Sequence, residues 1–143
     1  EGQAAVEFEQ CIASENYRSA YDFEIETGNN SFVIDWRAMI EQVVEDVKNQ
    51  TGIELIAVKF HNGLANILLQ AVLKSQEMTG LNTVALSGGV FMNIYLLTRL
   101  SQLLNEHNFK VCTHHLVPCN DGGIALGQAV IANAIIQNQL EKS

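Results

Sequence analysis

The sequence predicts an α/β fold: a mixed sheet with an N-terminal β-hairpin and a parallel βαβα unit, flanked by helices. Three observations carry this. Tyr21, Phe23 and Ile25 alternate with Asp22, Glu24 and Glu26, the period-two pattern of a strand. Apolar residues recur at helical spacing through most of residues 36–78. Two short apolar runs, at 83–86 and 109–113, each lead through a glycine-bearing turn into a helical stretch, which is the order of a parallel unit.

Taken in order, residues 2–14 carry helically spaced apolar residues and predict a first helix. The alternating strand follows, with its acids facing outward. Gly28-Asn29-Asn30 tolerates positive φ and leads into Phe32-Val33-Ile34, which predicts a hairpin. Asp35 is placed to cap the next helix, where Trp36, Met39, Ile40, Val43, Val44 and Val47 form one apolar stripe. Thr51-Gly52-Ile53-Glu54 has capping-box spacing. A long helix then runs to about Met78, with Ile53, Ile56, Phe60, Leu64, Ile67 and Ala71 on one face, and Gly80 ends it. Strand 83–86, a leucine-rich helix, strand 109–113, a loop over 114–123 and a last helix from Ile124 to about Leu140 complete the chain. The crossover should be right-handed.

The composition suits one globular domain over residues 1–143. Apolar residues make up 48% and charged residues 17%, with a mean hydropathy of +0.09; this is core-forming material. No uninterrupted apolar run reaches the roughly 18 residues that span a bilayer, and no signal peptide is visible. The chain starts at Glu1 rather than Met, so a piece of a larger protein is expected. The net charge of −8 argues against nucleic acid as a partner. That charge is uneven: residues 1–58 hold twelve acids and three bases, and residues 59–143 hold four and five. The first half reads as a solvated acidic surface, and an anionic ligand, if one binds, is expected on the second half. Cys11, Cys112 and Cys119 form no C-x-x-C pair, which fits reduced thiols in a cytoplasmic protein.

In parallel α/β units ligands gather at the carboxyl ends of the strands. Two turns lie there. Ser87-Gly88-Gly89-Val90-Phe91-Met92-Asn93 offers close backbone approach, side-chain hydrogen bonds from Ser87 and Asn93, and a helix N-terminus with free N–H groups. It suits phosphate or ribose, or is simply a tight turn. It is neither G-x-G-x-x-G nor a P-loop. Pro118-Cys119-Asn120-Asp121-Gly122-Gly123 places Asp121 either as an N-cap or as a hard-cation ligand whose partners come from elsewhere. His114 and His115 are adjacent and point to opposite faces of a strand, so hydrogen bonding is favoured over a zinc site with Cys112 and Cys119. His61 reads as a hydrogen-bonded helix histidine. No Ser/His/Asp or Cys/His triad is assignable.

Three segments standing in order carry a family resemblance: Phe60-His61-Asn62-Gly63-Leu64-Ala65, Val84-Ala85-Leu86-Ser87-Gly88-Gly89-Val90-Phe91-Met92-Asn93, and Val117-Pro118-Cys119-Asn120-Asp121-Gly122-Gly123-Ile124-Ala125-Leu126-Gly127-Gln128-Ala129. Together they resemble the C-terminal part of the HypF family, the carbamoyltransferases of [NiFe]-hydrogenase maturation. The resemblance spans essentially the whole chain. It implies a ribonuclease-H-like half of a sugar-kinase/Hsp70/actin-like module, similar to the tRNA threonylcarbamoyl transferases, with nucleotide in the cleft between two halves. It implies an enzyme that uses carbamoyl phosphate and ATP, by way of carbamoyl-adenylate, to carbamoylate the C-terminal cysteine of a HypE-like partner; that group becomes the cyanide ligand of the hydrogenase iron. By the same resemblance Ser87, Gly88, Gly89, Asn93 and Gly122 would contact the adenylate. Asp121 would be one ligand of a divalent metal whose other ligands lie in the absent lobe. His61 matches a position near the cleft, and Met92 stands where the family commonly has a polar residue. Upstream domains of the same enzyme are implied partners. The resemblance requires no catalytic nucleophile in this lobe and leaves the oligomeric state open, a homodimer included. The alternative reading is a non-catalytic α/β docking module, in which the glycine turns are structural and Asp121 is only a cap.

Overall fold

The structure, a computed structural model, describes residues 2–12, 18–28 and 31–140. Its elements run α1 (Gln3–Gln10), β1 (Glu24–Thr27), β2 (Phe32–Asp35), α2 (Arg37–Lys48), α3 (Ile53–Thr79), β3 (Thr83–Ala85), α4 (Ile94–Glu106), β4 (Lys110–Cys112) and α5 (Ile124–Leu140). Short 3-10 turns at Gly89–Met92 and Asp121–Gly123 precede α4 and α5. The expected helix over 2–14 ends at Gln10, and its residues 13 and 14 lie outside the described residues.

β1 and β2 pair antiparallel, with Ile25 opposite Ile34. The turn residues Asn29 and Asn30 lie outside the described residues. β3 and β4 pair parallel, with Val84 opposite Val111. Among the described residues these are two separate two-stranded ladders. The alternation read from Tyr21 to Glu26 holds: Tyr21 is buried, Phe23 and Ile25 are half-buried, and Asp22, Glu24 and Glu26 face solvent.

α3 is the central strut. Ala65 and Leu69 pack with Leu86, Leu96, Leu100, Leu103, Leu104 and Phe109 in the main core. Its N-terminal half meets Tyr21 and Met39 through Ile56. By length and composition α3 could cross a membrane. Nine of its residues are instead buried within the fold, His61 and Asn62 among them, so it serves here as a core helix. Gly80, at φ 71°, ends it as expected.

Three local expectations need correction. The apolar stripe of α2 is split: Met39 and Val43 turn toward α3, while Trp36, Ile40, Val44 and Val47 are exposed. The spacing covers more of the helix circumference than one neighbouring helix can bury. The capping box at Thr51 and Glu54 does not form. Gly52 is the N-cap of α3, and the Thr51 hydroxyl donates to Asp46 Oδ1 at 3.2 Å instead. Asp35 does take the first α2 amide, from Arg37 at 2.9 Å, but from one residue outside the N-cap, which is Trp36.

Asp46 ties α2, α3 and the segment before β1 together. Its Oδ2 accepts from Tyr21 Oη at 2.6 Å and from Lys59 Nζ at 2.5 Å. The Lys59 ammonium also lies 4.4 Å from the Tyr21 ring centroid. Hydrogen bonds from Lys59 and Tyr21 hold the Asp46 carboxyl below the ordinary aspartate range. Burial, reinforced by the Asp46 carboxylate, pushes the Tyr21 phenol up.

α5 differs from the other helices. Every residue of it is exposed, yet Ile124, Leu126, Val130, Ile131, Ile135, Ile136 and Leu140 are distributed around it. A helix apolar on all sides belongs inside a larger core. From Ile124 to Ile136 its apolar side chains stay exposed among the described residues.

Candidate functional site

The parallel ladder brings the two glycine turns to one edge. β3 runs into Ser87-Gly88-Gly89, and β4 runs into Thr113-His114 beside it. The Gly88 N–H donates to the Cys119 carbonyl at 2.8 Å. Asn120 Nδ2 donates to Met92 Sδ at 3.1 Å. A Cβ built on Gly89 would lie 4.0 Å from Cβ of Asn120. The two turns predicted as separate candidates are therefore one surface. The contact at Met92 uses its thioether as a weak acceptor, where a polar side chain was the family expectation.

Gly88 sits at φ 111°, ψ 157°, a conformation open to glycine and strained for any other residue. Gly89 has ordinary φ and no neighbour closer than Asn120. Gly89 and Val90 open the 3-10 turn, so no carbonyl within the turn takes their amides. Phe91 N–H donates to Gly88 O at 3.0 Å, and Asn93 N–H to Val90 O at 3.1 Å.

The expectation of free amides at the α4 N-terminus is corrected for two of them. Tyr95 N–H donates to Glu9 Oε1 at 3.0 Å, and Leu96 N–H donates to Asn93 Oδ1 at 2.8 Å. Tertiary contact with α1 and a side-chain cap have used those two donors, so the amides left open among the described residues are that of Ile94 and those of the preceding turn.

Asn93 is half-buried, and its other end meets His61, with Nδ2 2.8 Å from the imidazole Nε2. His61 is 3% exposed. Its Nδ1 lies 2.8 Å from the carbonyl of Ala57, one turn back on α3. The sequence reading of a hydrogen-bonded helix histidine holds. Its link to Asn93 lies 32 residues away along the chain and has no sequence signature.

At the second turn the cap is Asn120, not Asp121. Asn120 Oδ1 accepts from the Gly122 N–H at 3.0 Å. Asp121 is exposed, and its carboxylate makes no hydrogen bond or ion pair among the described residues. This leaves it as a hard-oxygen donor beside the glycine turn. Among the described residues no group of three or more His, Cys, Asp or Glu could hold a metal ion. Asp121 thus fits as one ligand only, and a complete shell needs donors from outside these residues. β4 ends at Cys112, so His114 and His115 lie beyond the strand and strand alternation does not set their directions; each is hydrogen-bonded as expected, His114 Nε2 with Ser87 Oγ at 2.9 Å and His115 Nε2 with Thr113 Oγ1 at 3.2 Å. A cavity of about 360 Å³ beneath the turns is lined by Leu86, Phe91, Met92, His114, Pro118 and Cys119.

Residues 1–128 match the family described as "Carbamoyltransferase, Kae1-like Domain, second subdomain". Carbamoyltransferase HypF of Synechocystis is 33% identical over 128 residues, covering 90% of this chain and 16% of the relative. Carbamoyltransferase HypF of Rhizobium leguminosarum bv. viciae is 33% identical over 139 residues, covering 97% and 17%. A crystal structure of full-length HypF in a phosphate- and nucleotide-bound form superposes with a TM-score of 0.87 at 43% identity, covering 95% of this chain and 18% of that one. The chain spans about one sixth of the length of these two relatives. A match over nearly all of its residues, with the hairpin, the parallel pair and the glycine turns in place, means that the chain belongs to the Kae1-like second-subdomain family of HypF-type carbamoyltransferases.

Proposed function

We propose that this chain is the adenylate-holding lobe of a carbamoyl-transfer module. The observation that carries the reading is the union of the two turns: Gly88 bonded to Cys119 and Gly89 set beside Asn120, with the Asp121 carboxylate unpaired among the described residues at the same edge. In this reading the intact enzyme uses carbamoyl phosphate and ATP to form carbamoyl-adenylate. The acceptor is the C-terminal cysteine of a HypE-like maturation protein. Ser87, Gly88, Gly89, Asn93 and Gly122 frame the nucleotide, with the open amides of Gly89 and Val90 as phosphate donors.

The chemistry asks little of this chain. The partner's thiolate attacks the carbamoyl carbon, the C–S bond forms, and the bond to the adenylate phosphate oxygen breaks with AMP leaving. Backbone amides placed at the phosphate stabilise the charge that gathers on it. A divalent cation, with Asp121 as one ligand and the rest from the other lobe, would neutralise phosphate charge when bound. Support for a second lobe comes from α5, whose apolar side chains from Ile124 to Ile136 are spread around the helix and exposed among the described residues.

The test separates the chain from its complement. This chain alone should fold but transfer nothing, and nucleotide and metal binding should appear when the segment carrying the first subdomain is added. Stoichiometric metal held by the chain alone, or hydrolysis of carbamoyl phosphate by it, overturns the two-lobe reading.

A further inference from the structure

We infer that His61 is a positioning residue for the Gly88–Asn93 turn, acting through the side-chain amide of Asn93. The inference rests on the reading of that turn as a nucleotide site. The imidazole is 3% exposed and packs among Phe8, Phe60 and Tyr95, at ring-centroid distances of 5.6, 5.7 and 5.7 Å. A ligand cannot reach it, so any part it plays passes through its neighbours.

The hydrogen bonds have one consistent direction. Leu96 N–H can only donate, so the Asn93 oxygen must face it, at 2.8 Å. The Asn93 NH2 group is then turned toward His61 Nε2, also at 2.8 Å. Nε2 must therefore present its lone pair. His61 Nδ1 faces the Ala57 carbonyl at 2.8 Å, which can only accept, so Nδ1 carries the proton. Rotating the Asn93 amide would set NH2 against N–H and lose both bonds. His61 thereby fixes which end of Asn93 caps α4.

Asn93 is also where the turn ends. Its N–H closes the 3-10 turn on Val90 O, and its carbonyl accepts from Leu97 N–H at 3.0 Å. The start of the turn is anchored separately, by Gly88 N–H on Cys119 O. Between these anchors lie the amides of Gly89 and Val90. An unanchored Asn93 frees one end of the segment that presents them.

The test is AMP affinity of the intact polypeptide carrying this chain, in variants matched for polarity. A glutamine at 61 reaches where Nε2 sits; an asparagine reaches only as far as Nδ1. H61N should weaken AMP binding about three- to tenfold, the loss of one hydrogen bond, while H61Q stays close to the parent. The double variant H61N/N93A should bind no worse than N93A, because both changes break the same link. Folded H61N with undiminished affinity overturns the inference, and so does a double variant with additive losses. Gly89→Val provides the control for the underlying reading. If it leaves AMP affinity unchanged, the turn is not the nucleotide site and both readings fall. If it weakens binding while H61N does not, only the role of His61 falls.

Discussion

Gly63 faces the backbone of Tyr21 so closely that a Cβ at position 63 would lie 2.7 Å from the Tyr21 carbonyl oxygen. The Tyr21 backbone is held in place, with its N–H on the Lys59 carbonyl at 3.1 Å. The segment leading into the hairpin thus crosses α3 at the one residue that lets it. In an exposed helix Gly→Ala gains about 1 kcal/mol. Here Gly63→Ala should destabilise by about 1–3 kcal/mol, as overpacking does. Urea denaturation of the two proteins checks the sign.

Asp46 should make stability acid-sensitive. Its folded carboxyl is held below the ordinary value by Lys59 and Tyr21. In the unfolded chain an aspartate titrates near about 3.9. The unfolded state therefore binds the proton first, and stability falls as pH drops from about 5 toward the lower folded value. Above that window the contribution is complete. Asp46→Asn should be less stable than the parent at pH 7 and should approach it in acid. Melting temperatures between pH 3 and 7 would show the curves converging; parallel curves would exclude Asp46 as the source.

How much of this was legible in the sequence follows from the range of each interaction. Period-two alternation and helical spacing located β1, α3, α4 and the parallel unit, because those patterns are set by neighbours in the chain. The split face of α2 was not legible. Spacing marks Ile40 and Val44 as apolar but does not say which side α3 will occupy. The same limit applies at Thr51, where Asp46 takes the hydroxyl on its carboxylate and the backbone N–H on its carbonyl, the N–H that a capping box would give to the Glu54 carboxylate. At the site, the glycine turns and Asp121 were visible as motifs. Their union through Cys119, Asn120 and Met92 required strand pairing between β3 and β4. Asn120 did carry a signal, since Asn directly before Asp-Gly-Gly is a good cap.

The two glycines of the first turn should separate by property. Gly88 is strained for any side chain, so Gly88→Ala should cost about 1–3 kcal/mol of stability. Gly89 has ordinary φ and open space, so Gly89→Ala should leave melting nearly unchanged. Its new methyl group would stand where a ligand's phosphate approaches, and AMP affinity should fall. Equal losses of stability in both variants would mean that the turn is structural only.

Asp121 and Asn120 offer the sharpest division between enzyme lobe and docking module, because the structure assigns capping to one and leaves the other free. Asn120→Ala removes the bond to Gly122 and should cost about 1 kcal/mol, the ordinary value of a cap. Asp121→Asn removes a charge from an exposed carboxylate without a partner among the described residues. It should shift stability by no more than about 0.5 kcal/mol. In the intact polypeptide, the same change should lower carbamoyl transfer at least about tenfold, equivalent to about 1.4 kcal/mol at the transition state. Transfer assays and melting curves on both variants decide the matter. Full activity in a folded Asp121→Asn protein would leave the carboxylate without a chemical role and favour the docking module; loss of transfer at unchanged melting temperature requires Asp121 at the site.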